Sequence, residues 1–271
     1  MPMYADSTSY LEEYFFNFYL KNKDKFPESP QYLPVFWTPI YVQNAPIPVQ
    51  SYIDALDQSK DYFTIVQYDE GVLNKLPANT KVFAAASSRG NGKVKIPIPL
   101  IVSPIPSDLL EGIDNTKKYL CSFVGRMTHP IRQKLNKALA KEDGFYFSEP
   151  EQWSQTLHPS KLNEFFTVTK QSVFSISAEG NAPTAFRLYE IFQLRSIPVY
   201  VVSSYHWLPW VDELDWSEFC VLIKEDQIPD LKSILEAIPE ETRQKMLDRG
   251  AEVYKSHFTL ENTCKHILNR L

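Results

Sequence analysis

The chain has 271 residues, of which 44% are hydrophobic, 14% aromatic and 23% charged, with a formal net charge of -5. This composition fits a folded globular protein and excludes a disordered chain, and the acidic balance excludes a general basic field for a nucleic-acid backbone. The length suits two compact domains of about 110 to 150 residues each.

The amino terminus has no basic stretch leading into an apolar one. No run reaches the ~18 apolar residues of a membrane-spanning helix, and no Asn-X-Ser/Thr acceptor occurs. With three cysteines, Cys121, Cys220 and Cys264, an odd number, the expectation is buried free thiols in a soluble, cytoplasmic protein. Residues 8–22 carry an aromatic stripe at helical spacing and predict an amphipathic helix. Residues 33–43 predict a buried strand interrupted by prolines, and 51–60 a short helix. The continuous β-prone run Tyr62 to Tyr68 has the pattern of a parallel strand buried on both faces. It ends in Asp69-Glu70-Gly71. Carboxylates at that edge stand where α/β proteins place ligands; the same pattern also describes a turn cap. Residues 81–86 predict another strand, and 87–95, with Gly-Asn-Gly-Lys but no Walker spacing, a loop or hairpin. A proline-rich strand segment over 94–106 follows. The hydrophilic run 107–118 then predicts the linker, dividing the chain into domains 1–115 and 116–271.

The second half opens with a strand, a glycine, a loop and a helix over 119–139, with Pro130 in the first helical turn. Arg126 follows Gly125, and Arg132 lies in that first turn. Both arginines can neutralise a diphosphate or simply meet solvent. A helix over 160–172 leads into residues 173–202, the stretch around which the chain is organised. There an apolar run, a polar loop with Gly180, a helix opened by Pro183-Thr184 and a buried strand at 197–202 make a β-loop-α-β unit. Thr184 is the expected N-cap. Free amides and the helix dipole at this start favour an anion, and a phosphate fits there. Arg187 offers a fork of donors to a phosphate, and Glu190 a carboxylate to the paired hydroxyls of a ribose; their spacing equally describes a surface ion pair. Gly71, Gly125 and Gly180 each stand just past a buried strand, which points to one cleft. A strand at 219–224 and three helices complete the chain, the last expected to cross back onto the first domain. The five histidines show no metal-ligand spacing, and no Gly-X-Ser-X-Gly elbow occurs.

The residues Phe186-Arg187-Leu188-Tyr189-Glu190, Ile197-Pro198-Val199, Leu208-Pro209-Trp210 and Asp215-Trp216 resemble, in order and spacing, the carboxyl-terminal half of exostosin-type glycosyltransferases. The resemblance extends to Gly125 with Arg132 through Leu135, and to Tyr68-Asp69-Glu70-Gly71, where Asp69 falls on the family aspartate. Three positions depart from the pattern. Glu179 stands where the family has a loop arginine, Arg195-Ser196 where it has Gly-Cys, and Glu70 where it has tryptophan. The first departure shifts the phosphate contact onto Arg187.

The resemblance implies an α/β protein of GT-B architecture, two Rossmann-like domains facing a central cleft, the first on the acceptor side and the second binding a nucleotide sugar. It implies inverting transfer from a UDP-sugar to a glycan hydroxyl, with no metal and no other cofactor; no Asp-X-Asp metal clamp occurs in the chain. Gly125, Arg126, Arg132 and Arg187 would serve the diphosphate and Glu190 the ribose. The loop of Glu179, Gly180, Asn181 and Thr184 would serve the phosphate and donor sugar, with Asp69 as general base and Glu70 as its substitute. The compact, anchorless chain looks like a soluble enzyme of a large algal virus, which makes UDP-xylose the expected donor. The alternative is a module of the same fold that binds nucleotide or glycan without turnover.

Overall fold

A computed structural model of the chain describes residues 10–43, 47–86, 92, 94–149, 159–202 and 205–271. These fall into two compact units. The first holds the described residues up to Ser103 together with Trp207–Trp210 and His257–Leu271; the second holds Pro104–His206 and Val211–Ser256. The linker expected near residue 115 thus falls inside the second unit.

The first unit is built on a four-stranded parallel sheet, β1 (Gln31–Tyr32), β2 (Tyr62–Val66), β3 (Thr80–Ala84) and β4 (Val94–Pro97), in that order. Every residue of β2 is buried, as the unbroken apolar run predicts for a strand paired on both sides. The parallel pairing of β3 with β4 rules out a hairpin at 87–95, most of which lies outside the described residues. Helix α1 (Leu11–Lys21) occupies the expected amphipathic stretch.

The strand predicted at 33–43 is a correction. Only Gln31–Tyr32 pair in the sheet, and Trp37–Val42 form helix α2. Pro34 and Pro39 explain this: a proline cannot donate to a ladder, but in a first helical turn its missing N–H is not needed. The apolar residues remain core, Leu33, Val35 and Trp37 packing under the sheet. Trp37 Nε1 donates to Thr64 Oγ1 (2.8 Å), whose hydroxyl donates to Leu33 O (3.0 Å). Helix α3 (Val49–Asp54) starts and stops earlier than the sequence suggested. Asp57 closes an Asx turn through Ser59 N (3.1 Å), which competes with further helix.

The second unit has a five-stranded parallel sheet in the order β6 (Phe145–Ser148), β5 (Tyr119–Val124), β7 (Ser172–Ala178), β8 (Ile197–Val202) and β9 (Val221–Lys224). Helices α4 (Pro130–Leu139), α5 (Pro159–Lys170), α6 (Phe186–Gln193), α7 (Leu231–Glu236) and α8 (Glu240–His257) alternate with or follow these strands. One face buries Ile131, Leu135 and Leu139 of α4 on Phe123, Phe174 and Ile176; the other buries Phe165 and Phe166 of α5 beside Leu194. Arg195, in the position of the family glycine just past α6, has φ 56°. That left-handed conformation is the one a helix C-terminus asks of glycine, so the departure keeps the backbone at the cost of local strain.

The last helix, α9 (Leu260–Leu268), packs on α1 in the first unit. Trp207 joins the same unit, donating through Nε1 to Ala84 O (3.0 Å). All three cysteines are free and buried, and burial pushes their thiols well above the ordinary range. Among the described residues no helix is long and apolar enough to cross a membrane.

Candidate functional site

From β5 the chain moves to one side, to β6, and then returns to the other, to β7. The strand order therefore reverses between β5 and β7, and the carboxyl ends there are where open α/β sheets receive ligands. Two loops frame the position: Gly125 to His129 after β5, and Glu179 to Ala185 after β7.

Two arginines cross this position in opposite directions. Arg132, in the first turn of α4, reaches the β7 loop, donating through Nε to Glu179 O (2.8 Å) and through Nη2 to Ala178 O (3.0 Å). Its Nη1 holds Arg126 O (3.1 Å) in its own loop. Arg187, the second residue of α6, reaches back to β5, donating through Nη2 to Val124 O (2.5 Å). Its guanidinium lies 4.9 Å from the Phe123 ring centroid and 5.3 Å from that of Phe165, while Arg132 lies 5.7 Å from Phe123 on its own account. A face of the aromatic ring attracts a cation, so Phe123 supports both.

The glycines make the crossing possible. A Cβ on Gly125 would lie 2.7 Å from Arg187 Nη2, and one on Gly180 would lie 2.6 Å from Arg132 Nη2. Neither glycine has positive φ, so each is required for room and not for backbone freedom. Gly125→Ala should displace the Arg187 fork and cut the affinity for an anion seated there by roughly 10-fold, the worth of about one hydrogen bond to a charged group, and it should lower the melting temperature as Val124 O loses its donor. Calorimetric titration with UDP beside a thermal melt checks it.

Both guanidiniums donate to backbone carbonyls, and the carboxylate whose charge acts on Arg187 is that of Glu190. Burial, and then the charge of Arg187, lowers Arg132 to about 10; burial likewise lowers Arg187, against the opposing charge of Glu190. Both stay cationic at neutral pH. Two positive charges are thus held near each other in a partly desolvated place, and an anion seated there would relieve both effects. Arg187 Nε and Thr184 Oγ1 are also buried without a hydrogen-bond partner, and a buried donor left unmade costs about 1–3 kcal/mol.

Thr184 departs from its expected role. The N-cap of α6 is Ala185, the helix begins at Phe186, and no side chain caps it. A loop pinned by Arg132 and by Tyr200 Oη on Pro183 O (2.7 Å) sets the helix start one residue later than a Thr184 cap would. Glu179 is buried in that loop and its amide donates to Val201 O (2.9 Å); Asn181 is exposed. Arg126 and Glu190 are half-buried. Burial, with a contribution from the charge of Glu190, raises the Tyr254 hydroxyl.

Asp69 and Glu70 stand at the carboxyl end of β2 in the first unit, the central residues of a turn closed by Gly71 N on Tyr68 O (2.9 Å). Gly71 has φ 80°, which explains glycine there. Both carboxylates are half-buried. Tyr68 packs on Tyr41 at 5.0 Å, and the Tyr41 hydroxyl receives Leu73 N (3.0 Å) and Asn74 N (3.3 Å), which fixes the chain leaving the turn.

Three features escaped the sequence. Phe123 and Phe165 read as plain core, and nothing in their spacing marks them as supports for arginine. His257 and His266 stack at 4.5 Å because α9 turns back just after α8, although their separation in sequence suggested no pairing. The hydrogen bonds of Glu12 reach Thr38 and Gln67, 26 and 55 residues away.

These features define a doubly wound α/β protein with a cationic cradle at the switch point of one sheet. Residues 54–238 match the profile of the exostosin GT47 domain, and the chain belongs to that family of glycosyltransferase domains. It is 31% identical over 102 residues to a probable glycosyltransferase of Arabidopsis thaliana, a stretch covering 38% of this chain and 21% of that one. It is 34% identical over 95 residues to a probable glucuronosyltransferase of Oryza sativa subsp. japonica, covering 34% of this chain and 22% of the relative. Human exostosin-2 is 25% identical over 101 residues, covering 37% and 14%. The matched stretches thus span less than a quarter of these relatives' own lengths. The crystal structure of TarM is similar over 78% of this chain and 50% of its own, with 11% identity and a TM-score of 0.42.

Proposed function

We propose that the chain is a metal-independent, inverting glycosyltransferase of GT-B architecture that moves a sugar, best xylose, from a UDP-sugar to a hydroxyl of a glycan acceptor. The observation that carries this reading is the crossed pair of partly buried cations Arg132 and Arg187 at the switch point, each tied by its fork to the strand end of the other. A nucleoside diphosphate presents the charge and the spread of oxygens that two guanidinium forks match.

In this mechanism Asp69 takes the proton of the acceptor hydroxyl as its oxygen attacks the anomeric carbon from the face opposite the diphosphate. The bond from that carbon to the β-phosphate oxygen breaks, and UDP leaves with the bonding pair. Charge developing on the leaving oxygen is met by Arg132 and Arg187, the part a metal plays in other transferases. Gly125 and Gly180 keep the guanidiniums in place, Arg126 and the Glu179–Thr184 loop with Gly180 and Asn181 border the phosphates and donor sugar, and Glu190 takes the ribose. Glu70 is the substitute base. Buried free thiols suit a reducing, cytoplasmic setting.

A second reading, a module that binds nucleotide without turnover, is favoured by Glu179, a buried carboxylate where the family has an arginine. Release of UDP from UDP-xylose, UDP-glucuronic acid, UDP-N-acetylglucosamine, UDP-galactose and UDP-arabinose, with and without EDTA, separates the two. Turnover of one donor, unchanged by EDTA, is expected; the name of the rice relative makes glucuronic acid the main competitor to xylose. UDP binding with no turnover of any donor on a broad set of glycan acceptors would replace the enzyme by the module.

A further inference from the structure

Glu12, in the first turn of α1, is 2% exposed, the most deeply buried charged side chain among the described residues. Its Oε1 accepts from Gln67 N (2.7 Å), from Thr38 Oγ1 (2.6 Å) and from Thr38 N (3.3 Å), and its Oε2 accepts from Thr38 N (3.1 Å). One carboxylate therefore joins α1, the start of α2 and the residue that follows β2. Gln67 is held twice more, its Oε1 accepting from Leu11 N (2.8 Å) and its Nε2 donating to Ile101 O (2.7 Å). This clamped residue lies two positions before Asp69.

Every partner of Glu12 is a donor. An ionised carboxylate satisfies all of them, whereas a proton on Oε2 would face the Thr38 amide and remove an acceptor. An amide side chain meets the same conflict through its NH₂. A fold that needed only a tie between helix and strand could use a serine or asparagine at far lower desolvation cost. The choice of a carboxylate makes the tie depend on a proton.

We propose that Glu12 is a positioning residue for the Asp69–Glu70 turn: ionised, it holds the end of β2 where Asp69 is placed for its role, and on taking up a proton it loses the Thr38 amide and weakens its hold on Gln67, because a neutral carboxyl accepts less strongly than a carboxylate, which lets the turn move. The proposal rests on the reading of Asp69 as the base. Burial above all, opposed by the hydrogen bonds from Thr38 and Gln67 and reinforced by the neighbouring charge of Glu13, raises Glu12 to about 7. Its charge is felt by Tyr32 of β1 and Tyr41 of α2, both neutral in this range. The ionised fraction therefore rises through neutral pH, and the held state prevails on the alkaline side.

The test follows the backbone amide resonances of Gln67 and Thr38 by NMR across the neutral range, in the intact chain and in Glu12→Gln and Thr38→Val. The amides should titrate with a midpoint near 7 in the wild type and stay flat in Glu12→Gln. Thr38→Val removes a donor that favours the ionised form, so its midpoint should move to higher pH. Turnover should rise with the same midpoint in kcat and lose that limb in Glu12→Gln, with kcat lowered ~10-fold and donor KM little changed. Wild-type amides that do not move with pH, or a Thr38→Val midpoint that stays in place, would overturn the proposal even if Glu12→Gln fails to fold. The amide titration needs no turnover, so an absence of transferase activity would tell against Asp69 as base without touching this result.

Discussion

Arg187→Ala should weaken UDP binding by about 10- to 100-fold, because a hydrogen bond between charged groups contributes about 1.5–3 kcal/mol and each 1.4 kcal/mol is tenfold. The side chain is not only a ligand. It covers Phe123 and Phe165 and satisfies Val124 O, so its loss leaves a buried carbonyl without its donor and lowers the melting temperature as well. Arg187→Lys separates the two contributions: the charge remains but the fork is lost, so affinity should fall between that of the wild type and the alanine variant. The pH dependence adds a further check. A cation whose pKa is lowered in the folded protein is disfavoured while it stays charged, and a bound diphosphate reverses that. Affinity should therefore fall on the alkaline side, as the guanidiniums, Arg132 lowered to about 10 and Arg187 lowered by burial, lose charge. Titration calorimetry on the three proteins measures all of this, and an Arg187→Ala variant that stays folded and binds UDP as well as the wild type would remove the phosphate role.

The candidate site was legible where backbone pattern and chemistry coincide. The unbroken β-prone run from Tyr62 to Tyr68 gave both the strand and the position of Asp69 beyond it, since a strand paired on two sides excludes polar residues until it ends. The glycines past β5 and β7 were found by the same logic, although their reason is the arginine packed on each and not a turn. What stayed hidden depends on distance in three dimensions. Arg132 and Arg187 are 55 positions apart, and no periodicity announces that each donates to the strand end of the other. Thr184 does not cap, although it is a good capping residue, because the loop is set by contacts from Arg132 and Tyr200. The stretch 33–43 departs from its expected strand because apolar residues between prolines suit a buried strand and a short buried helix equally, and only the pairing of Gln31–Tyr32 with β2 decides where the ladder stops.

Asp69→Asn should lower the transfer rate by about 100- to 10,000-fold, the range associated with loss of a general base, while UDP binds as before. Asparagine suits the same turn, which is closed by backbone groups of Tyr68 and Gly71, so the loss should come without unfolding. Glu70→Gln is the necessary companion. The two carboxylates are neighbours in one turn and equally half-buried, and geometry within the first unit does not rank them. The family aspartate falls on Asp69, so Glu70→Gln should keep most of the rate. If Glu70→Gln is the inactive variant and Asp69→Asn is not, the base is the glutamate, at the position where the family has tryptophan. Equal loss in both, with UDP binding intact, would mean that the turn acts as a unit on the acceptor. Rates measured at saturating donor distinguish these outcomes, because a defect confined to acceptor binding is overcome by acceptor concentration and the loss of a base is not.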